Sequence, residues 1–343
     1  MRALVVVGLS HATAALDVRE RLAVSDTALP GVLTEVRAAG GLAEALVLAT
    51  CNRVEVWGVE RAGDGAAAVT GWFAARAGDA ADLVAGLVSV HRGADAVHHM
   101  AAVAAGLDSM VVGEPQILGQ VKAAHAAAVA HQAAGADLGA AVSEALRIAK
   151  RVRSETEVGR GALSVAAAAV ELARKIFGDL AARDVLLVGA GEMGELAARH
   201  FAQLGVRRLA ITSRRHDRAQ AVARETGGTA VAFDDWPARA AEADVLIAAV
   251  AAPEVLVTRE RAEAWIVHRR RPLLIVDLGV PRNVERTVGR VAEVYVYDVD
   301  DLAGVVEANR LARAREVERG RALVTEAVAR LERRTVARTA APT

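Results

Sequence analysis

The chain has 343 residues and 42 basic against 42 acidic side chains, so its formal net charge is zero and no global field draws it to nucleic acid or a lipid surface, although a local basic patch remains open. Hydrophobic residues make up 53 % and aromatics only 3 %, with no apolar run of membrane-spanning length, which favours helix-rich layers joined by small contacts. This length exceeds one comfortable core and predicts two domains with an appendage, while a single cysteine, Cys51, excludes an internal disulfide and a multi-cysteine metal site and fits a reduced, soluble, cytoplasmic enzyme with no membrane partner and no metal.

Ala3 to Val7 is an apolar strand closed by Gly8. The arginine ahead of it imitates a signal peptide, but Asp17, Arg19 and Glu20 follow at once and favour the strand. Helices are predicted over Asp17 to Val24, Thr27 to Ala38 and Ala66 to Ala77. Between the second and third of these lie two strands, the apolar run Ala45 to Ala49 and the alternating Val54, Val56 and Val59, and Thr50-Cys51-Asn52-Arg53 is the turn that joins them. A lone cysteine is commonly a buried filler, yet this one sits at a strand end in polar company, where scaffolds present reactive groups. Arg53 offers a charge that favours a thiolate and a fork that suits a substrate carboxylate.

His98 and His99 belong to a helix, Ala94 to Ala105, stopped by Gly106. The stretch GLDSMVVGEPQILGQVK from Gly106 then gathers Asp108, Ser109, Glu114, Gln116 and Gln120 around Gly113 and Pro115. Met110, Val111, Val112, Ile117 and Leu118 would bury that loop, and buried polar groups need partners, which a small polar ligand supplies. From Gly119 to Ile176 helix follows helix, and Arg147, Lys150, Arg151 and Arg153 form a basic cluster that reads either as a solvated face or as an RNA contact.

A buried strand, Val185 to Val188, runs into Gly189-Ala190-Gly191-Glu192-Met193-Gly194 and a helix through Leu204. Strand, glycine turn and helix together form the phosphate-binding entry of a Rossmann unit. The next strand, Arg208 to Thr212, ends in Ser213-Arg214-Arg215 where an NAD enzyme carries an acidic residue; serine and arginine accept a 2′-phosphate instead, which favours NADPH. Strands at Ala230 to Phe233, Asp244 to Val250, Leu273 to Leu278 and Val294 to Tyr297 complete a doubly wound parallel sheet. Asp300-Asp301 then read as the N-cap of a long helix with an apolar stripe of Val317, Val324, Val328 and Leu331. The fold class is α/β: an N-terminal α+β catalytic domain (1–150), a Rossmann-type NADP-binding domain (151–300) and a helical tail (301–343).

In chain order, GLSHATAALDVRERLAVS at Gly8, TCNRVEVW at Thr50, the Gly106 stretch, SETEVGRGALSVAAAAVELA at Ser154, the glycine turn at Gly189 and DLGVPRNVE at Asp277 resemble the glutamyl-tRNA reductase family of tetrapyrrole biosynthesis. The resemblance implies reduction of glutamyl-tRNA(Glu) by NADPH to glutamate-1-semialdehyde through a Cys51 thioester. It makes Cys51 and His99 catalytic, and Thr50, Asn52, Arg53, Ser109, Glu114, Pro115, Gln116 and Gln120 the glutamyl pocket. Within that pocket Arg53 suits the side-chain carboxylate and Glu114 the α-ammonium. Residues 301–343 are shorter than the family's dimerisation domain, so the resemblance leaves a homodimer open, along with transfer of the aldehyde to an aminomutase. Two other readings stand beside it: an NADP-dependent dehydrogenase of a free small aldehyde or acyl compound, and a non-catalytic NADP-binding scaffold.

Overall fold

The computed structural model describes residues 3–25, 27–61, 64–159, 164–250, 255–267, 269 and 271–340, with 303–313 and 335–340 described by backbone alone. Positions 160–163 of the stretch that begins at Ser154 therefore lie outside the described residues. The chain folds as two compact units, Met1–Ala162 with Asn309–Thr343, and Leu163–Ala308. No described helix is long and apolar enough to cross a membrane.

The first unit runs β1 (Leu4–Ser10), α1 (Leu16–Leu22), α2 (Leu29–Ala38), β2 (Leu42–Ala49), β3 (Arg53–Glu60), α3 (Gly65–Ala77), α4 (Ala81–Leu87), β4 (Ser89–Arg92), α5 (Gly93–Ala105), α6 (Gln116–Ala130) and α7 (Ala136–Glu155). Its strands form an antiparallel sheet in the order β2-β3-β1-β4, as an α+β domain requires. β3 is central and buried along seven of its eight residues, so its polar side chains have no water to fall back on. Gly8 of β1 lies opposite Glu55 of β3, and an added Cβ there would come 2.4 Å from the Val54 carbonyl oxygen. The sheet can close over Glu55 only because that side chain is missing. Gly106 caps α5 in the left-handed conformation, as predicted. The sequence did not predict α4 or β4; Ser-Val-His-Arg is too short and too polar to carry a strand period.

The second unit contains α8 (Val165–Phe177), β5 (Asp184–Val188), α9 (Glu192–Gln203), β6 (Arg208–Thr212), α10 (His216–Thr226), β7 (Thr229–Val231), α11 (Trp236–Ala240), β8 (Val245–Ala248), α12 (Arg259–Ile266), β9 (Leu273–Asp277) and β10 (Val294–Tyr297). All its strands are parallel in the order β10-β9-β8-β5-β6-β7, so the chain reverses direction across the sheet at β5, the switch point where such folds bind ligands. The expected doubly wound sheet is the observed one.

α13 (Val299–Ala340) follows. Its cap differs from the expected Asp300-Asp301 pair: Asp298 Oδ1 accepts from the Asp300 and Asp301 N–H groups at 3.0 and 3.1 Å, which puts those two acids inside the first turn. The predicted stripe is real. Val324, Ala327 and Val328 are buried in the core of the first unit, with Val317 and Leu331 packed against it. That burial is why the helix from Asn309 onward counts with the first unit.

Candidate active site

The turn at Cys51 is fixed by short-range bonds. Thr50 N–H donates to the Arg53 carbonyl at 2.9 Å, and Thr50 Oγ1 accepts from the N–H groups of Asn52 (3.1 Å) and Arg53 (3.2 Å). From outside, His11 N–H donates to the Asn52 carbonyl at 2.8 Å, and the buried Arg19 guanidinium donates to the Cys51 carbonyl. The thiol-bearing residue itself is part-exposed, on a backbone whose polar groups are already engaged.

Arg53 is engaged within the first unit. It is 1 % exposed; Nη1 donates to Glu55 Oε1 at 2.6 Å and Nη2 to the Asp108 carbonyl at 2.7 Å. A buried guanidinium needs a carboxylate more than it needs a visiting ligand, and Glu55, two residues on and on the same face of β3, satisfies it. The charge expected to polarise Cys51 is therefore neutralised locally. The cation that reaches the cysteine backbone is Arg19.

Glu55 is the centre that sequence reasoning missed. Its Oε2 accepts from Trp57 Nε1 at 2.7 Å, and His99 Nε2 lies 3.0 Å from Oε1. Burial alone pushes its carboxyl upward, but Arg53, His99 and the Trp57 bond together hold it well below the usual carboxylate range. His99 is thus seated on a fixed anion, with its Nδ1 3.8 Å from Asp108 Oδ2 and its ring stacked on His91 at 4.2 Å. Burial, and then the facing His99, push His91 down. Arg53-x-Glu55-x-Trp57 repeats every second residue, so the pairing was visible in the strand period, had the polar face been read as well as the valine face.

The Arg53–Asp108 bond joins the Cys51 turn to the loop between α5 and α6. Ser109 and Glu114 are buried there, Pro115 caps α6 and is exposed, and Gln116 and Gln120 lie half-buried on its first turns. Asn52 Oδ1, Ser109 Oγ and Gln116 Oε1 are buried and find no hydrogen-bond partner among the described residues. A buried polar atom left without a protein partner is a candidate contact for a polar ligand, and these three lie in one turn and one loop. The basic cluster on α7 is largely spent. Arg147 pairs with Glu144, Arg151 with Glu155 and Glu326, and Arg153 Nη1 donates to the carbonyls of Gly113 and Glu114.

In the second unit the glycine turn meets the steric demands of a dinucleotide loop. Gly189 has φ +113°, and an added Cβ would come 2.3 Å from the Ala249 carbonyl oxygen; at Gly194 it would come 2.0 Å from that of Gly189. Gly191, at the N-cap of α9, has nothing within 4 Å of such a Cβ, so the protein itself does not require glycine there. Open space at a helix N-terminus is what a pyrophosphate needs, and the residues fit a dinucleotide. Ala190 is buried, Met193 half-buried and Glu192 exposed. Ser213 and the exposed Arg214 follow Thr212, whose buried Oγ1 has no partner among the described residues. Beside this edge Asp277 accepts from the N–H groups of Gly279, Asn283 and Val284 at 2.7–2.9 Å, and the Asn283 amide clamps both the N–H and the carbonyl of Val250.

Residues 7–156 match the family model described as glutamyl-tRNA(Glu) reductase, N-terminal domain, and residues 171–305 the model described as shikimate/quinate 5-dehydrogenase. A glutamyl-tRNA reductase of Solibacter usitatus is 43 % identical over 330 residues, 96 % of this chain and 78 % of the relative. One called glutamyl-tRNA reductase 2, of Anaeromyxobacter dehalogenans, is 44 % identical over 342 residues, 99 % of this chain and 75 % of the relative. Among solved structures, glutamyl-tRNA reductase from Methanopyrus kandleri superposes with a TM-score of 0.51 at 33 % identity, over 98 % of this chain and 81 % of that one.

Proposed function

The chain belongs to the glutamyl-tRNA reductase family, and from that premise we propose that it reduces glutamyl-tRNA(Glu) with NADPH to glutamate-1-semialdehyde, the first step of tetrapyrrole synthesis, through a thioester on Cys51. The observation that carries the site assignment is the set of orphaned buried atoms, Asn52 Oδ1, Ser109 Oγ and Gln116 Oε1, in the turn and loop that Arg53 and Asp108 tie together.

The Cys51 sulfur attacks the ester carbonyl of the glutamyl group, the tRNA 3′ oxygen leaves and takes a proton, and the glutamyl group becomes a thioester. A thioester carbonyl is a better hydride acceptor than an ester, which is the reason to interpose sulfur at all. Asn52, Ser109 and Gln116 bind the glutamyl polar groups, with Thr50, Glu114, Pro115 and Gln120 completing the pocket; Glu114 suits the ammonium. Arg53 contributes indirectly, by fixing Glu55 and the loop. His99, oriented by Glu55, is the proton carrier of the acyl transfer. Gly189, Ala190, Gly191, Glu192, Met193 and Gly194 would cradle the pyrophosphate of the cofactor, and Ser213 and Arg214 its 2′-phosphate. When bound, NADPH supplies the hydride.

Three further readings go with this one: a cytoplasmic setting, in which the thiol stays reduced; a homodimer, tested by light scattering; and hand-over of the unstable aldehyde to glutamate-1-semialdehyde aminomutase, tested by co-purification. The deciding experiment uses tRNA charged with labelled glutamate. Without NADPH the label should accumulate on the protein; on adding NADPH it should leave as aldehyde. Equal NADPH oxidation with free glutamyl esters would favour a small-substrate dehydrogenase, and no adduct with a thiol inert to iodoacetamide would favour a scaffold.

A further inference from the structure

A hollow lies at the end of the first unit's sheet away from Cys51. Its cavity of about 370 Å³, a size that suits a small ligand, is bounded by α2, by Arg61 where the chain leaves β3, and by His131 and Ala133 after α6. Two long-range bonds set its frame: Arg61 N–H donates to the Gly41 carbonyl at 2.9 Å, and Ala45 N–H to the Ala133 carbonyl at 2.8 Å. Leu33 and Ala133 are buried against it; Thr34, Arg37, Arg61 and His131 line it with polar groups, and among the described residues no acid does. The acids nearby in sequence are already engaged. Glu35 accepts from Trp72 Nε1 at 3.3 Å and lies 3.7 Å from Arg76, Glu44 Oε2 accepts from the Leu138 N–H at 2.7 Å, and Arg92 holds Glu60 and Asp64 at 3.3 and 2.7 Å. Arg37 Nη1 donates to a neutral carbonyl, that of Gln132, at 3.1 Å, and Arg61 makes no side-chain bond or ion pair among the described residues.

We propose that this hollow takes a phosphate group, and that the phosphate is one of the tRNA backbone, held by Arg37 and Arg61. The claim rests on glutamyl-tRNA being the substrate and adds where part of its polyanion is gripped. The eight residues of β3 separate the hollow from the Cys51 turn, roughly 25 Å at the rise of a strand. A glutamyl group held at Cys51 does not span that distance; a nucleic acid does, with a phosphate at every nucleotide. In a chain of zero net charge, affinity for a polyanion has to come from local groups without counter-charges. A guanidinium meets phosphate oxygens as a fork, and neutralising the phosphate releases its counterions. The α7 arginines would first have to leave Glu144 and Glu155; Arg37 and Arg61 have no acid to leave among the described residues.

The test uses the full chain, tRNA(Glu) with and without its glutamate, and the variants Arg61→Ala, Arg61→Lys, Arg37→Ala/Arg61→Ala and, as a reference on α7, Arg147→Ala. Binding is read by fluorescence anisotropy across a range of salt, without NADPH. Arg61→Ala should weaken tRNA about five- to tenfold and flatten the slope of log affinity against log salt by about one, and the double variant should flatten it by about two. Charged and uncharged tRNA should lose equally, because the hollow is remote from the glutamyl group. Arg61→Lys should keep most of the affinity, and Arg147→Ala, whose guanidinium Glu144 already holds, should cost less than about twofold. Parent affinity and slope in the double variant overturn the proposal, as does an equal loss in Arg147→Ala, which would mean that any surface charge serves. Inorganic phosphate is the other arm: phosphate that binds the parent and not the double variant, while tRNA affinity is the same in both, makes the hollow a small-anion site and overturns the RNA assignment. A parent that binds tRNA(Glu), shows these losses and never forms the labelled glutamyl-enzyme supports the hollow and sinks the thioester reading; a parent that binds no tRNA sinks both.

Discussion

Cys51 and Glu55 are four residues apart in sequence and call for opposite tests. Cys51 is chemistry with little structural weight: part-exposed, on a turn whose backbone is held by Thr50, His11 and Arg19. Cys51→Ser should leave the melting curve within about 0.5 kcal/mol of the parent and lower NADPH oxidation with glutamyl-tRNA by at least roughly a thousandfold. Full turnover in that variant would remove the thioester. Glu55 is the reverse, a buried acid that neutralises Arg53 and seats His99. Glu55→Gln leaves a buried guanidinium without its counter-charge and should cost about 3–5 kcal/mol at neutral pH. Because the folded protein holds the Glu55 carboxyl below its ordinary value, the stability it contributes is fully present above the ordinary carboxylate range and drains away as pH falls below about 4.5. The gap between parent and variant in urea melts should therefore narrow on acidification; a constant gap from pH 7 to pH 3 would count against the assignment. The cysteine was legible because its turn is local. Glu55 lay in plain sight on β3, while Asp108 and Arg321 meet across 213 residues, a separation that no local period encodes.

At the scale of elements, the periods of two and of 3.6 residues carried the reading, and it broke down where an element is too short or where a cap is contested. β4 has four residues with alternating partial exposure, and Asp298 outcompetes its neighbours for the start of α13. The DLGVPRNVE stretch was legible only as a match, because its work is done by backbone bonds. Asp277 gathers three N–H groups into one knot at the end of β9, and Asn283 then pins Val250 after β8. Burial pushes the Asp277 carboxyl up to about 7, against the pull of those three donors. Between its ordinary value of 3.8 and that point the folded protein holds a proton that the unfolded chain has lost. The sign is thus opposite to that of Glu55: stability from this group is greatest at low pH and declines as pH rises toward 7. Asp277→Asn should flatten that slope in denaturant titrations between pH 5 and pH 7, at an overall cost of about 1–3 kcal/mol, since an amide NH₂ would face donors. An unchanged slope would mean that the knot holds a carboxylate throughout.

Across the whole molecule, the two compact units divide the chemistry, and Gly191 offers the cleanest way to separate its halves. Acyl transfer is assigned to residues of the first unit, and hydride supply to a cofactor bound by the second. Gly191 has φ −86° and ψ −176°, which alanine adopts without strain, and its missing Cβ faces open space. Gly191→Ala should therefore fold and melt like the parent. If a pyrophosphate closes on that backbone, however, the methyl group stands in its way, and NADPH affinity should fall about tenfold or more, a penalty of about 1.4 kcal/mol. The labelled glutamyl-enzyme should still form at the parent rate in this variant and persist after NADPH is added at a concentration that discharges the parent. Gly189 and Gly194 cannot serve the same purpose, because side chains there would strike the Ala249 and Gly189 carbonyls and damage the fold along with the site. Unchanged NADPH binding by Gly191→Ala would move the pyrophosphate elsewhere on the sheet, and slow acylation in that variant would mean that cofactor and glutamyl sites are coupled before any hydride moves.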